Sequence, residues 1–310
     1  MLLSKDQVAA KGGGVVPLPV LRRWLSRSLR DAGVALCLHR VLEQRRPSDW
    51  QPAMCIPPAA LDALIELLLA TRAPEAPRWL TVSFDDGYAD AADYVATRAR
   101  RYPAVDFLLC VCPEKLEQGA GFRWDVAEGA LLRGATAAEV QALLDAPVDL
   151  RAENARGDLR AAAEHASFRL ADAAQLRALA RLPNVALANH TNCHLRATAL
   201  SLEDLRLEYR RSDEAFTRLF GPPAHFAFPY GTPGIQFDAR DVGEARAARR
   251  GAMLWSTEPR PFEPWERRPG GVLPRFPVDG RLSPRELAAW IAIRSTDYRI
   301  RGPRHRFPPS

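Results

Sequence analysis

Four short segments of this 310-residue chain concentrate side chains able to do chemistry. In Ser83-Phe84-Asp85-Asp86-Gly87 two carboxylates are adjacent and repel each other, so a function should justify them. One could hold a metal while the other acts as a base. The plainer use is as caps for a helix running from Tyr88 to Arg101. In His190-Thr191-Asn192-Cys193-His194 the histidines stand at i and i+4, on one face of a turn or helix, and can share one ion. Imidazole suits Zn, and also Ni, Co or Fe. An acid from another strand would complete a site of two histidines and a carboxylate with an open position for water. Cys193 lies off that face and reads as packing. In Phe228-Pro229-Tyr230-Gly231 the proline and glycine fix a turn that can aim a backbone N–H outward as an oxyanion donor. In Leu36-Cys37-Leu38-His39 a histidine ends an apolar run, either packed or facing a site as a titrating group.

Those segments need elements to position them. Strand-like runs at 33–39, 79–87, 104–111, 184–190, 225–231 and 251–256 alternate with helical patterns at 57–70, 88–102, 125–146, 170–182, 201–221 and 283–294. The helix at 201–221 opens at Ser201 and Asp204 and stops at Gly221, ahead of Pro222 and Pro223. Residues 147–169 are charged and irregular and read as an insertion or loop. The alternation predicts an α/β fold of parallel βα units, six or seven of them, short of a regular eight-fold barrel. In such a fold chemistry collects at the C-terminal ends of the strands, where all four segments lie. The tail RGPRHRFPPS, rich in Pro and Arg, is expected to fray.

The length suits one large domain or two small ones. Apolar residues are 47% and charged residues 26% of the chain, which excludes a disordered, collagen-like or coiled-coil protein. The net charge is +6, yet only Lys5, Lys11 and Lys115 among the 43 basic residues are lysine. The arginines are spread along the chain among Asp and Glu, with no dense basic-aromatic patch, so nucleic acid is not expected as a partner. Residues 15–30 mix Leu, Val and Trp24 with arginines and no acid, the pattern of an amphipathic helix that could lie on an anionic membrane surface. The five cysteines form no disulfide framework, and Cys110 and Cys112 sit in a buried strand run. A reduced, cytoplasmic setting fits them, at most peripheral to the inner membrane face, since no signal peptide or spanning segment is expected.

Taken in order, the segments resemble the polysaccharide deacetylase family, the NodB-homology domains of carbohydrate esterase family 4. SFDDG is similar to its T/SFDDG motif, HTNCH to its H-S/T-x-x-H motif, and FAFPYG to its third motif, R-x-P-x-G. VALCLHRV, NVALANHTNCHLRATALSLEDLRLEY and LPRFPV resemble further stretches of one bacterial branch. The resemblance implies a distorted (β/α)7 barrel over residues 34–293, with an extension at 1–33 and a tail at 294–310. It implies a hydrolase that removes the N-acetyl group of a sugar with one divalent metal ion, Zn first and Co, Ni or Fe next. Asp86, His190 and His194 would be the ligands and Asp85 the general base. The Tyr230 backbone N–H, in the turn of Pro229 and Gly231, would face the oxyanion. Trp124, Tyr230 and Trp255 could stack on sugar faces.

Two departures qualify that pattern. The late Leu-x-His motif is missing, and His39 takes the general-acid role instead, as in the biofilm poly-N-acetylglucosamine deacetylases, whose permuted motifs this order resembles. Ala227 stands where the third motif has the Arg that orients the base, and Arg275 is the candidate substitute. If nothing replaces that Arg, the alternative is a catalytically impaired barrel that binds carbohydrate. The expected substrate is an N-acetylhexosamine in a polysaccharide or on a lipid or nucleotide carrier, as in cell-surface polysaccharide assembly.

Overall fold

Side-chain alternation builds the barrel wall. On the strand Leu80–Phe84, Leu80, Val82 and Phe84 join the large apolar cluster under the surrounding helices, so Thr81 and Ser83 face inward. Val34, Leu36 and Leu38 do the same on Val34–Leu38, and Val105, Phe107, Leu109 and Val111 on Val105–Val111. The opposite faces meet in a second cluster that includes Ala35, Leu108, Cys110, Ala188, Ala227, Trp255 and Leu273. Several of these are alanine, which leaves room inside the barrel for larger side chains.

The computed structural model describes residues 16–43, 52–72, 79–145, 149–150, 153, 156–164 and 168–302. Its strands are β1 (Val34–Leu38), β2 (Arg40–Val41), β3 (Cys55–Ile56), β4 (Leu80–Phe84), β5 (Val105–Val111), β6 (Val185–Asn189), β7 (His225–Ala227), β8 (Met253–Trp255), β9 (Val272–Leu273) and β10 (Phe276–Pro277). The main sheet is parallel in the order β10-β1-β4-β5-β6-β7-β8-β9, and β2 and β3 pair separately. One short segment therefore touches both edges of the main sheet. Val272 and Leu273 pair with Leu254 and Trp255, while Phe276 and Pro277 pair with Leu36 and Cys37. Pro274, which has no N–H to give, separates the two halves of this kinked strand. Counted as one, β9 and β10 bring the wall to seven positions, the distorted (β/α)7 barrel expected.

The helices are α1 (Leu18–Ser28), α2 (Pro58–Leu69), α3 (Ala89–Arg98), α4 (Pro113–Gln118), α5 (Arg123–Leu132), α6 (Ala137–Asp145), α7 (Gly157–Glu164), α8 (Ala173–Leu179), α9 (Leu202–Phe220), α10 (Ala239–Ala248) and α11 (Pro284–Arg301). Three expectations need correction. The helix expected at 125–146 is two, broken where Gly134 takes a φ of 88°. The stretch expected to be irregular contains α7. The last helix runs on past the expected end at 294 to Arg301; residues 303–310 lie outside the described residues.

The helix α1 packs on the barrel: Leu21 and Leu25 are fully buried, and the Trp24 indole donates to Thr296 Oγ1 of α11 at 3.1 Å. Arg285 and Arg299 of α11 bond the backbone at Val16 and Ser28. Each buried leucine contributes about 1.5–3 kcal/mol to that docking. Val20, Arg22, Arg23 and Arg27 are exposed on its other side. Among the described residues no helix is long and apolar enough to cross a membrane.

Candidate metal centre and active site

The inward parity of β1, β4 and β6 continues past their ends to His39, Asp85 and His190, at one mouth of the barrel. Asp86, His190 and His194 place one ligand atom each within 4.8 Å of one another, all three buried. His194 Nε2 lies 3.2 Å from Asp86 Oδ1, and His190 Nε2 lies 3.8 Å from both Asp85 Oδ2 and Asp86 Oδ1. The Ala227 carbonyl accepts from His190 Nδ1 at 2.8 Å, which turns Nε2 to the acids. That Nε2 is fully buried without a hydrogen-bond partner. A buried, unpaired lone pair beside a carboxylate and a second imidazole is the donor set a divalent cation completes. Burial pushes the His190 imidazole down to about 4, so it is neutral at physiological pH, the form that ligates.

The histidines meet through a loop, not a helix. Thr191 and His194 have φ of 62° and 56°, and Asp86 and Tyr230 have 74° and 59°. Among the described residues one other non-glycine residue, Asp31, has positive φ. Such conformations cost of order 1–3 kcal/mol each and persist where the surroundings impose them. Asn189 Oδ1 accepts from Thr191 N at 2.9 Å, and its amide donates to Ser212 and Asp213 of α9. Glu208, also on α9, accepts the Asn192 and Cys193 N–H groups.

Arg275 comes from the kink between β9 and β10 and is fully buried. Its Nη1 lies 2.5 Å from Asp85 Oδ1 and its Nη2 3.0 Å from Asp85 Oδ2. Nε donates to the Ser256 carbonyl and Nη1 also to Ser83 Oγ. The charge missing at Ala227 thus enters from another strand. Burial alone would raise the Asp85 carboxyl, but the Arg275 guanidinium, then His190 and His39, hold it well below the usual carboxylate range. Burial likewise opposes ionisation of Asp86, and His194, His39 and His190 together bring its pKa down. His39 is half-buried and near both acids.

Aromatic rings form one wall. Trp124 stacks on Phe122 at 4.4 Å, presents its edge to His194 at 4.9 Å, and donates its indole N–H to Tyr88 Oη at 2.8 Å. Tyr88 donates in turn to Asp125 at 2.7 Å. Tyr230 is 45% exposed and meets His194 edge-on at 4.8 Å, with the Arg196 guanidinium 5.3 Å above its ring. The Pro229 and Gly231 residues flanking Tyr230 are buried and shape the turn rather than line the opening. A Cβ on Gly231 would come within 2.3 Å of Thr257 Oγ1, and its φ of 68° is one glycine adopts freely.

Trp255 needs correction as a sugar contact. It is 1% exposed, fills the barrel interior, and donates to His225 Nδ1 at the far end of the strands. Sequence reasoning missed Tyr88, Phe122, Asp125, Asn189 and Glu208, which no local motif marks.

No protein-family model matches the sequence, and no curated protein matches it. The likeness is to solved structures. The deacetylase PplD of Streptococcus pyogenes, determined in complex with acetate, superposes with a TM-score of 0.55 at 12% identity, over 84% of this chain and 98% of that one. A polysaccharide deacetylase of Bacillus cereus superposes with a TM-score of 0.53 at 13% identity, over 84% of this chain and 69% of that one. The fold of this barrel is therefore similar to that of these solved deacetylases.

Proposed function

We propose that the protein is a metal-dependent hydrolase that removes the N-acetyl group from an N-acetylhexosamine and releases acetate. One observation carries this reading: three metal-ligand atoms converge beside a second carboxylate, Asp85, that Arg275 keeps ionised. A divalent ion held by Asp86, His190 and His194 would acidify water and polarise the acetyl carbonyl. Zinc suits the donor set first, with cobalt, nickel or iron fitting the same ligands.

The chain's own groups do the rest. Asp85 takes the proton of the attacking water, and the Arg275 grip orients its carboxylate. The Tyr230 N–H makes no hydrogen bond among the described residues, which leaves it for the developing oxyanion. His39 delivers a proton to the departing amine. Trp124 and Tyr230 offer ring faces to the sugar. Ala227, the argument for an impaired binding barrel, loses its force because Arg275 supplies a guanidinium to the same carboxylate.

Arg196 is exposed on the Tyr230 ring and has no carboxylate partner among the described residues, whereas Arg40, Arg123 and Arg275 are each ion-paired. A free guanidinium there favours a phosphate-bearing substrate, a lipid- or nucleotide-linked sugar. The five cysteines are buried and form no disulfide, which fits a cytoplasmic location.

The test is acetate release from neutral, nucleotide-linked and lipid-linked N-acetylhexosamines, with and without chelator. The reading expects release that chelator abolishes and Zn or Co restores. Turnover indifferent to chelator, or sugar binding without release under any metal, contradicts it.

A further inference from the structure

The loop between the two histidines is the part of the metal centre least able to hold itself. It has no helical hydrogen bonds, and Thr191 and His194 sit in left-handed backbone. Left alone, its residues would relax to ordinary φ, and the two imidazoles would part. Beside the adjacent Asn189, which accepts the Thr191 N–H, one side chain from a separate element opposes this. Glu208, in the second turn of α9 and 2% exposed, accepts the N–H of Asn192 at 2.8 Å and of Cys193 at 2.7 Å, both on Oε1. These are the two residues between Thr191 and His194.

We propose that Glu208 is a positioning residue of the metal centre, which holds the loop in its strained form and so sets the spacing of His190 and His194 and the affinity for the ion. The inference rests on the metal reading above. Two more contacts show that the loop is tied to the same part of α9. Asn189, just before His190, donates to Ser212 and Asp213, and Arg211 bonds Glu114, whose backbone N–H donates to Asn192 Oδ1. Glu208 and Ser212 are four residues apart, on one helix face. Asn189 holds the Thr191 N–H from beside the loop, and Glu208 is the tie from a distant element that reaches the backbone between the ligands. Its second oxygen is buried without a hydrogen-bond partner, so Oε1 alone serves the loop.

The experiment compares the wild-type chain with Glu208→Met, which keeps the volume and removes the acceptor, and Glu208→Gln, which keeps an acceptor oxygen. Glu208→Asp, which withdraws the oxygen by about one C–C bond, serves should the Met variant not fold. Zn and Co affinities are read by competition with a chromophoric chelator, and hydrogen exchange is followed over residues 189–195 in the metal-free proteins. Glu208→Met and Glu208→Asp are expected to weaken metal binding by roughly 10–100-fold and to speed that exchange. Glu208→Gln is expected to stay within about threefold of wild type. A folded Met or Asp variant with wild-type affinity and exchange overturns the inference, as does a Gln variant as weak as the Met variant. A wild-type chain that binds no divalent ion overturns the metal reading itself and this inference with it, whereas wild-type binding unchanged in the variants overturns this inference alone.

Discussion

Arg275 grips both oxygens of Asp85 from the seam of the barrel, two strand positions away. The ion pair joins the segment that closes the sheet to the strand that carries the acids. Both partners are buried, so neither charge has water to fall back on. Removing the cation should therefore cost more than an exposed pair would. Arg275→Met is expected to destabilise the fold by about 3–5 kcal/mol in denaturant titrations. It should also let burial raise the Asp85 carboxyl, moving the acid limb of the pH–rate profile to higher pH. An unchanged profile in a folded variant would show that Arg275 does not govern Asp85.

Asp125 predicts a pH dependence of stability. Burial, offset in part by the Phe122 N–H and Tyr88, holds its carboxyl up at about 7, against about 4 when unfolded. Between those values the folded chain keeps a proton that the unfolded chain has released. Its stability contribution therefore falls as pH rises from about 4 to 7. Asp125→Asn keeps the oxygen that Tyr88 bonds and abolishes the titration. The stability of this variant relative to wild type should grow across that window and then level off, as read by thermal denaturation at a series of pH values. A difference constant with pH would refute the assignment.

Trp124 and Arg196 should separate two parts of substrate recognition. Trp124→Ala is expected to raise KM about 3–10-fold for every N-acetylated sugar, the loss of one ring contact. Arg196→Ala should raise KM for phosphate-bearing substrates and leave neutral ones unchanged, with the wild-type preference weakening at high salt. Equal effects of Arg196→Ala on both substrate classes would remove the case for a carrier-linked sugar.

Gly231→Ala tests the turn below Tyr230. The new methyl would crowd Thr257 and force a φ of 68° on an alanine. Stability is expected to fall by about 1–3 kcal/mol, with kcat falling as the Tyr230 N–H shifts. A Gly231→Ala protein with wild-type kcat would free the Tyr230 N–H from its proposed role.

What can be read from the sequence is what one segment contains. Asp85 beside Asp86, and His190 four residues before His194, carry their chemistry in their spacing. Parallel βα units, six or seven of them, follow from alternating patterns, the seven-fold barrel from the family resemblance, and Arg275 from its place in a late strand. Contacts between distant segments leave no such trace. Tyr88 meets Asp125 across 37 residues of sequence, and Glu208 meets Cys193 across 15, because packing brings them together. α10 escapes the reading because ARDVGEARAA has one large apolar residue, Val242, among alanines, too little to set a period. The split of α5 from α6 is signalled locally by Gly134, a breaker inside a helical pattern. The burial of Trp255 depends on the alanines around it on neighbouring strands, which no reading of its own segment supplies.

The most direct test of the account is Asp85→Asn with zinc supplied. Metal content and acetate release are measured on the same preparation. The Asn side chain should leave Asp86, His190 and His194 able to hold one ion. The account predicts one bound ion per chain and a rate lowered by about 10²–10⁴-fold. A variant that keeps its ion and releases acetate within tenfold of the wild-type rate would contradict Asp85 as the base.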